Sequence, residues 1–204
     1  SAIGMDKIVM KNIFSYLKIP QVNYLAIHNY DLSDNYVKKN LALKIINKLN
    51  LPVFVKPANS GSSLGISKVN NQSEIIKALE RASEIDTRIV VEEGLVAREL
   101  ECGIIGYLKL SASEIGEVCY STEWYDYDSK YSMENEIIIP AKIDPEISKT
   151  IKDIAVKSCK ELNIYGFARV DFFLEKSSNK ILLNEINTIP GFTKNSMFPM
   201  LWNA

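Results

Sequence analysis

Two stretches of the 204-residue chain carry side chains whose types and spacing could do chemistry. The first is VKPANSGSSLGISKV (55–69), where Lys56 stands between apolar residues just ahead of a Gly-Ser-Ser-x-Gly loop. The amides of such a loop, with the hydroxyls of Ser60, Ser62 and Ser63, can cradle phosphate oxygens, and a lysine on the adjoining strand can pair with one. The order does not suit a Walker loop, which places Lys-Ser/Thr after its second glycine and opens a helix. Here the lysine comes first, and the chain continues past Gly65 as the strand-like ISKV. The pattern is strand, flap, strand, with the flap closing over a triphosphate. Taken alone, it is also what a mobile hairpin tip with a surface lysine would look like.

The second stretch is GFARVDFFLE (166–175), the turn KSSNK, then KILLNEINT (180–188). Strand alternation sets Arg169, Asp171 and Phe173 on one face, and Leu183, Glu185 and Asn187 together on the next strand. A three-residue loop closed by Lys176 and Lys180 puts Glu175 opposite Ile181. Asp171 then falls opposite Glu185, and Arg169 opposite Asn187. Opposed pairs have Cβ atoms about 4.5–5.5 Å apart, so two carboxylates there need positive charge between them. Arg169 could supply it. Alternatively, the all-oxygen set Asp171, Glu185 and Asn187 suits magnesium, a hard cation that commonly joins carboxylates to nucleotide phosphates. Pro190-Gly191 follows directly and reads as a type II turn, which would expose the Gly191 N–H beside Arg169 as an oxyanion-binding pair.

The elements that must position these residues can be read in outline. Residues 6–18 form a helix with Ile8, Val9, Asn12, Ile13, Tyr16 and Leu17 near helical spacing, stopped by Pro20. VNYLAI is a strand, 34–50 a helix, QSEIIKALERASEID an amphipathic helix and RIVVEE a strand. Beyond Ala97, strand-like runs dominate in RELECGIIGYLKL, EIGEVCYS and EIIIPAKI. Asp144-Pro145-Glu146 opens a helix with an acidic cap and proline in the first turn. Its apolar face carries Ile147, Ile151, Ile154 and Leu162. A short helix closes the chain. Helices and strands mix without a steady β-α-β rhythm, which points to α+β and not to a doubly wound sheet.

Composition excludes several classes. A net charge of -1 with 24% charged residues gives no basic excess for nucleic acid or a polybasic membrane surface. No apolar run approaches the ~20 residues of a membrane span. The charged opening SAIGMDKIVMKNIF is not a secretion signal. Cys102, Cys119 and Cys159 match no zinc or redox spacing and read as space-fillers in a reducing cytosol. The single histidine, His28, lies in a polar stretch and takes no catalytic role.

Joined with MDK (5–7), VVEEGLVARELECGIIG (90–106), WYDYDSKY (124–131) and NEINTIPGFTKNSMFP (184–199), the two stretches resemble the D-alanine–D-alanine ligases. These are bacterial ATP-grasp enzymes of peptidoglycan precursor synthesis. The resemblance runs over nearly the whole chain in family order and spacing. It implies two α+β lobes with mainly antiparallel sheets clamping ATP. Residues 1–95 would form the central lobe with its phosphate-covering loop 58–65. Residues 96–204 would form the C-terminal lobe, with the metal site and an omega-type loop at 120–135.

Roles implied by the resemblance follow matched positions. Lys7 and Lys56 would contact ATP phosphates, and Ser62, Ser63 and Gly65 belong to the lid. Glu92, Glu93 and Leu95 match the adenine-edge segment, Glu99 the ribose ligand, and Trp124 and Phe173 the faces sandwiching the adenine ring. Asp171, Glu185 and Asn187 match the ligands of two magnesium ions, with manganese as a substitute. Arg169 and Gly191 match the stabilisers of a tetrahedral intermediate, and Lys130 and Ser196 the residues holding the second substrate's carboxylate. Tyr131 and Ser62 organise the active site. The implied reaction phosphorylates one D-alanine carboxylate from ATP, and the amine of a second D-alanine then displaces phosphate. The implied location is cytoplasmic.

The chain departs from the family in two places. Members carry an N-terminal α/β domain that anchors the first D-alanine, which is not found here, and the family's last helix is cut short at Ala204. The expectation is therefore a fragment, the ATP-binding portion, which binds Mg-ATP but makes little dipeptide alone. The parent enzyme is expected to be a homodimer and this portion a monomer. Alternatives are a D-alanine–D-serine ligase, less readily a D-lactate one, or another ATP-grasp carboxylate–amine ligase.

Overall fold

The computed structural model describes residues 2–61, 63–120 and 136–204. Two antiparallel sheets organise them. β1 (Tyr24–His28), β2 (Val53–Pro57), β3 (Ser67–Val69) and β4 (Arg88–Glu93) pair in the order β1-β4-β2-β3. β5 (Ala97–Gly106), β6 (Leu110–Cys119), β7 (Glu136–Ile138), β8 (Gly166–Glu175) and β9 (Ile181–Asn187) pair in the order β7-β6-β5-β8-β9. Every pairing is antiparallel.

The four-stranded sheet packs against α3 (Asn35–Lys48) and α4 (Ile75–Ser83). Ile75, Ala78, Leu79 and Ala82 recur at three- and four-residue spacing, so one stripe of α4 meets Val53, Val55 and Val91 in a shared core. Asp34 caps α3 by accepting from the Tyr36 and Val37 N–H groups at 2.8 and 3.0 Å.

The five-stranded sheet buries Ala168, Val170, Phe172 and Leu174 of β8 with Leu100, Cys102 and Ile104 of β5. Alternation leaves Arg169, Asp171 and Phe173 on the opposite face. The core is covered by α5 (Pro145–Glu161), whose Ile151, Ala155 and Cys159 are fully buried. The expected start of α5 is seen: Asp144 accepts from the Glu146 N–H at 2.8 Å, with Pro145 in the first turn.

A short helix α1 (Ala2–Met5) leads into α2 (Lys7–Tyr16), which behaves differently from its expected apolar stripe. Its buried residues are Ile8, Met10, Lys11 and Phe14, whereas Tyr16 is exposed. The reason is that α2 is wedged between the sheets and has more than one inward face. Met10 and Phe14 enter the core of the five-stranded sheet, while Ile8 meets Ala58 and Val90 of the other. The segment also covers the β9 edge, whose amides at Leu183 and Ile186 donate to the Pro20 carbonyl and the Met10 sulfur.

Two strand readings change. The run through YLKL is broken by a reversal at Tyr107–Lys109, where Gly106 holds φ +140°, and β6 restarts at Leu110. The stretch EIIIPAKI contributes only β7. The last helix, α6 (Met197–Asn203), packs over β5 and β6, where Gly103 and Gly116 leave room for Trp202 and Leu201.

Candidate functional site

The carboxylates are set by the β8–β9 register. Asp171 pairs with Glu185, and Arg169 with Asn187, as alternation requires. The path to that register is not the expected one. The hairpin closes one residue earlier, with the Glu175 N–H on the Lys180 carbonyl at 3.0 Å, and Leu174, not Glu175, lies opposite Ile181. The register then shifts between Asp171 and Phe172, leaving Asn184 as an extra residue between Leu183 and Glu185. This bulge restores the acid pair and re-aims the strand. Leu183 therefore pairs with Phe172 and enters the core, and Leu182, opposite Phe173, takes the place expected for Leu183.

β5 adds two acids to the same face, because Glu101 pairs with Asp171 and Glu99 with Phe173. Arg169 donates to both Asp171 oxygens at 2.7 and 2.8 Å, and its Nε lies 2.9 Å from Glu101 Oε2. Burial works against the guanidinium charge, but Asp171, Glu101 and Glu185 outweigh it and hold Arg169 above its ordinary range. Tyr120 donates to Glu99 at 2.9 Å, and burial, reinforced by the Glu99 carboxylate, pushes its phenol up. Four carboxylates thus share a half-buried face with one arginine.

Across from them stand three lysines. Lys7, at the start of α2, donates to the Ser60 carbonyl at 2.7 Å and lies 3.7 Å from Glu185. It ties the 58–65 loop to the acid face. Lys56, one residue past the β2–β3 pairing, donates to Glu92 at 2.5 Å, and Lys11 lies 3.0 Å from the other Glu92 oxygen. Glu92 is 3% exposed. Burial alone would raise its carboxyl, but Lys11 and Lys56 draw it down to about 2.

The loop root is anchored. Asp86 accepts from the Asn59 amide and side chain, both at 2.9 Å, and the Ala58 N–H donates to the Arg88 carbonyl. Gly65 has φ +74°, and a Cβ there would meet Ile85 and Pro57, so the loop returns to β3 only through glycine. Ser63 also adopts a left-handed backbone, at φ 61°.

Other expected residues fall at varied distances from this centre. The Glu93 side chain is occupied by Asn23 and Asn50. Leu95 lines a shallow depression of about 450 Å³ with Gly94, Val96, Glu175, Lys176 and Ser177. Asn187 accepts from the Ile189 N–H at 3.0 Å. Gly191 does not make the type II turn: its φ lies outside the left-handed region that such a turn needs, and the turn falls instead at Thr193–Ser196. What Gly191 provides is room, since a Cβ would lie 2.8 Å from Ser196 Oγ. Ser62, Trp124, Lys130 and Tyr131 lie outside the described residues. Sequence reasoning missed Lys11, four residues after Lys7 on one helix, and Glu101, two residues after Glu99 on one strand. Both spacings were visible, but neither says what the side chain meets.

Residues 13–204 match the profile of the family described as "D-ala D-ala ligase C-terminus". The chain belongs to the D-alanine–D-alanine ligase family. It is 78% identical over all its 204 residues to a D-alanine–D-alanine ligase of Prochlorococcus marinus subsp. pastoris, covering 58% of that protein. The chain thus spans somewhat over half the length of the curated relatives it matches. Among solved structures, the VanG D-Ala:D-Ser ligase from Enterococcus faecalis superposes with TM-score 0.86 at 35% identity, over 99% of this chain and 57% of that one. The D-alanine–D-alanine ligase from Coxiella burnetii gives 0.83 at 30% identity, over 99% and 52%. The ligase family's ATP-grasp fold, α+β with antiparallel sheets, is the fold of this chain.

The donor set can also be weighed for the family's divalent metal. Among the described residues, no three acidic, histidine or cysteine side chains converge as a ready-made cage. Asp171 and Glu185 are opposed, and Asn187 lies two residues on from Glu185. Two carboxylates and an amide, completed by phosphate and water oxygens, fit magnesium, which keeps part of its hydration and takes few protein ligands.

Proposed function

We propose that this chain is the nucleotide-binding portion of an ATP-dependent D-alanine–D-alanine ligase. The observation carrying this reading is charge arrangement. Lys7 lies 3.7 Å from Glu185 of the Asp171–Glu185 pair and holds the Ser60 carbonyl of the 58–65 loop. Lys56, on β2 just ahead of that loop, is within electrostatic reach of Glu185. A magnesium triphosphate needs lysines for its phosphates and carboxylates for its cation.

In the proposed reaction, a D-alanine carboxylate oxygen attacks the γ-phosphorus of ATP, the bond to the β-phosphate oxygen breaks, and ADP leaves. The amine of a second D-alanine attacks the resulting acyl phosphate, loses a proton, and phosphate departs. Bound magnesium would neutralise the phosphate charge, held by Asp171, Glu185 and Asn187. Lys7 and Lys56 would pair with phosphate oxygens, while Ser62, Ser63 and Gly65 close over them. Glu92, Glu93 and Leu95 would border adenine, with Trp124 and Phe173 on its faces and Glu99 on the ribose. Arg169, already turned toward the acid pair, and the Gly191 N–H would meet the developing oxyanion. Lys130 and Ser196 would hold the second carboxylate, with Tyr131 ordering the site. The proposed setting is the cytoplasm; no described helix is long and apolar enough to cross a membrane.

A D-alanine–D-serine ligase is a second reading, favoured by the VanG likeness. The names of the 78% and 76% identical relatives support the first. The test is ADP and phosphate release by the chain extended to its relatives' length, with D-alanine alone and in competition with D-serine. Release that requires D-serine would select the second reading; release indifferent to D-amino acids would refute both.

A further inference from the structure

Lys11 touches none of the groups assigned to the reaction except through Glu92, yet it is a charged side chain only 1% exposed. Its Nζ lies 3.0 Å from one Glu92 oxygen, while Lys56 holds the other at 2.5 Å. The Tyr24 ring lies beside the Lys11 ammonium, with its centroid 5.5 Å away. Three charges thus meet where α2 packs on β2 and β4, and among these three side chains the sum is one positive charge. Lys56 is the more open end, with 13% of its side chain exposed against 1% for Lys11.

With Lys11 absent, Lys56 and Glu92 would form a closed neutral pair. An arriving anion would then compete with a buried carboxylate that had no other counter-ion, which is a costly partner to abandon. With Lys11 present, Glu92 is already matched, and the surplus positive charge sits at Lys56. We infer that Lys11 is a positioning residue for nucleotide phosphate, acting through Glu92 to leave the Lys56 ammonium available to an anionic oxygen. This rests on the reading of Lys56 as a phosphate contact. Burial, with the like charge of Lys56, draws Lys11 below its ordinary value, whereas for Lys56 burial is outweighed by Glu92, Glu185 and Glu99 and the ammonium is raised.

The test compares the chain with its Lys11→Met and Lys11→Arg variants, titrated with Mg-ATP and with adenosine, and follows the Lys56 side-chain ammonium by nitrogen NMR. Lys11→Met is expected to weaken ATP roughly tenfold and adenosine far less, and to shift the Lys56 resonance. Lys11→Arg restores both. Equal loss of ATP and adenosine marks a scaffold effect and overturns the inference, as does unchanged ATP affinity. If the parent chain binds no nucleotide, the proposed function fails separately. The Lys56 resonance then decides the Lys11 assignment: a shift in Lys11→Met reversed by arginine sustains it, and no shift refutes it.

Discussion

Asp171 faces Glu185 because Asn184 is inserted as a bulge between Leu183 and Glu185. Were Asn184 paired in register instead of bulged out, it would stand opposite Asp171 and shift Glu185 by one position. A one-residue slip in a strand exchanges its faces, so the carboxylate would turn toward the apolar core. Deleting Asn184 removes the bulge but leaves Glu185 opposite Asp171, so magnesium-dependent nucleotide binding should persist, as read by ATP titration with thermal unfolding as the control for folding. Lost binding in a folded variant would mean that the bulge aims Glu185 beyond the register it sets.

Replacing Asp171 with Asn removes the carboxylate that Arg169 grips with two hydrogen bonds. The proposed metal loses a charged ligand, while Arg169 keeps Glu101 within 2.9 Å. The magnesium concentration needed for half-maximal ATP binding should rise by roughly tenfold or more. Calorimetric titration at several magnesium concentrations checks this, and an unchanged midpoint would sink the assignment of Asp171 as a ligand.

The Glu92 carboxyl sits at about 2 in the folded chain against an ordinary 4.5. A depressed acid contributes its stability in full above the unfolded value and loses it as pH falls through the folded one. The window is therefore pH 4.5 to about 2, and the contribution is on the order of 3 kcal/mol. Glu92→Gln should cost about 3–5 kcal/mol at neutral pH, because Lys11 and Lys56 lose their buried counter-charge. Its denaturant stability should also vary less across that acid window than the parent's does.

Lys7 links the Ser60 carbonyl to Glu185. Lys7→Ala should release the loop, seen as faster amide hydrogen exchange at residues 60–66, and weaken ATP binding. Unchanged exchange would show that the Asp86 clamp on Asn59 holds the loop without it.

Cys102 and Cys159 are fully buried, and burial pushes both thiols up to about 12. Cys119 is partly exposed, with a thiol raised by burial and then by Glu117. A thiol reagent should modify Cys119 alone in the native chain, slowly at pH 8, and all three after unfolding. Mass spectrometry of the labelled peptides reads the result.

Much of the site was legible in one dimension because it rests on short periods. Alternation alone places Arg169, Asp171 and Phe173 on one side of β8, and a lysine ahead of a glycine-serine loop marks β2 and its flap. The cap at Asp144 is equally local. The acid pairing was reached from sequence by arithmetic in which two one-residue differences cancel, the hairpin closure and the bulge at Asn184. Neither is written in a periodicity.

The chain's residue order decided which side chains share a strand face, where helices begin and which groups could bind phosphate and metal, since these depend on neighbours within a few residues. Only the folded chain decided that Lys11 meets Glu92, that Glu101 joins Asp171 at Arg169 and that α2 serves both sheets. Those contacts join residues far apart in the chain. A buried charge finds its partner only when packing removes water and brings the opposite charge within a few ångströms.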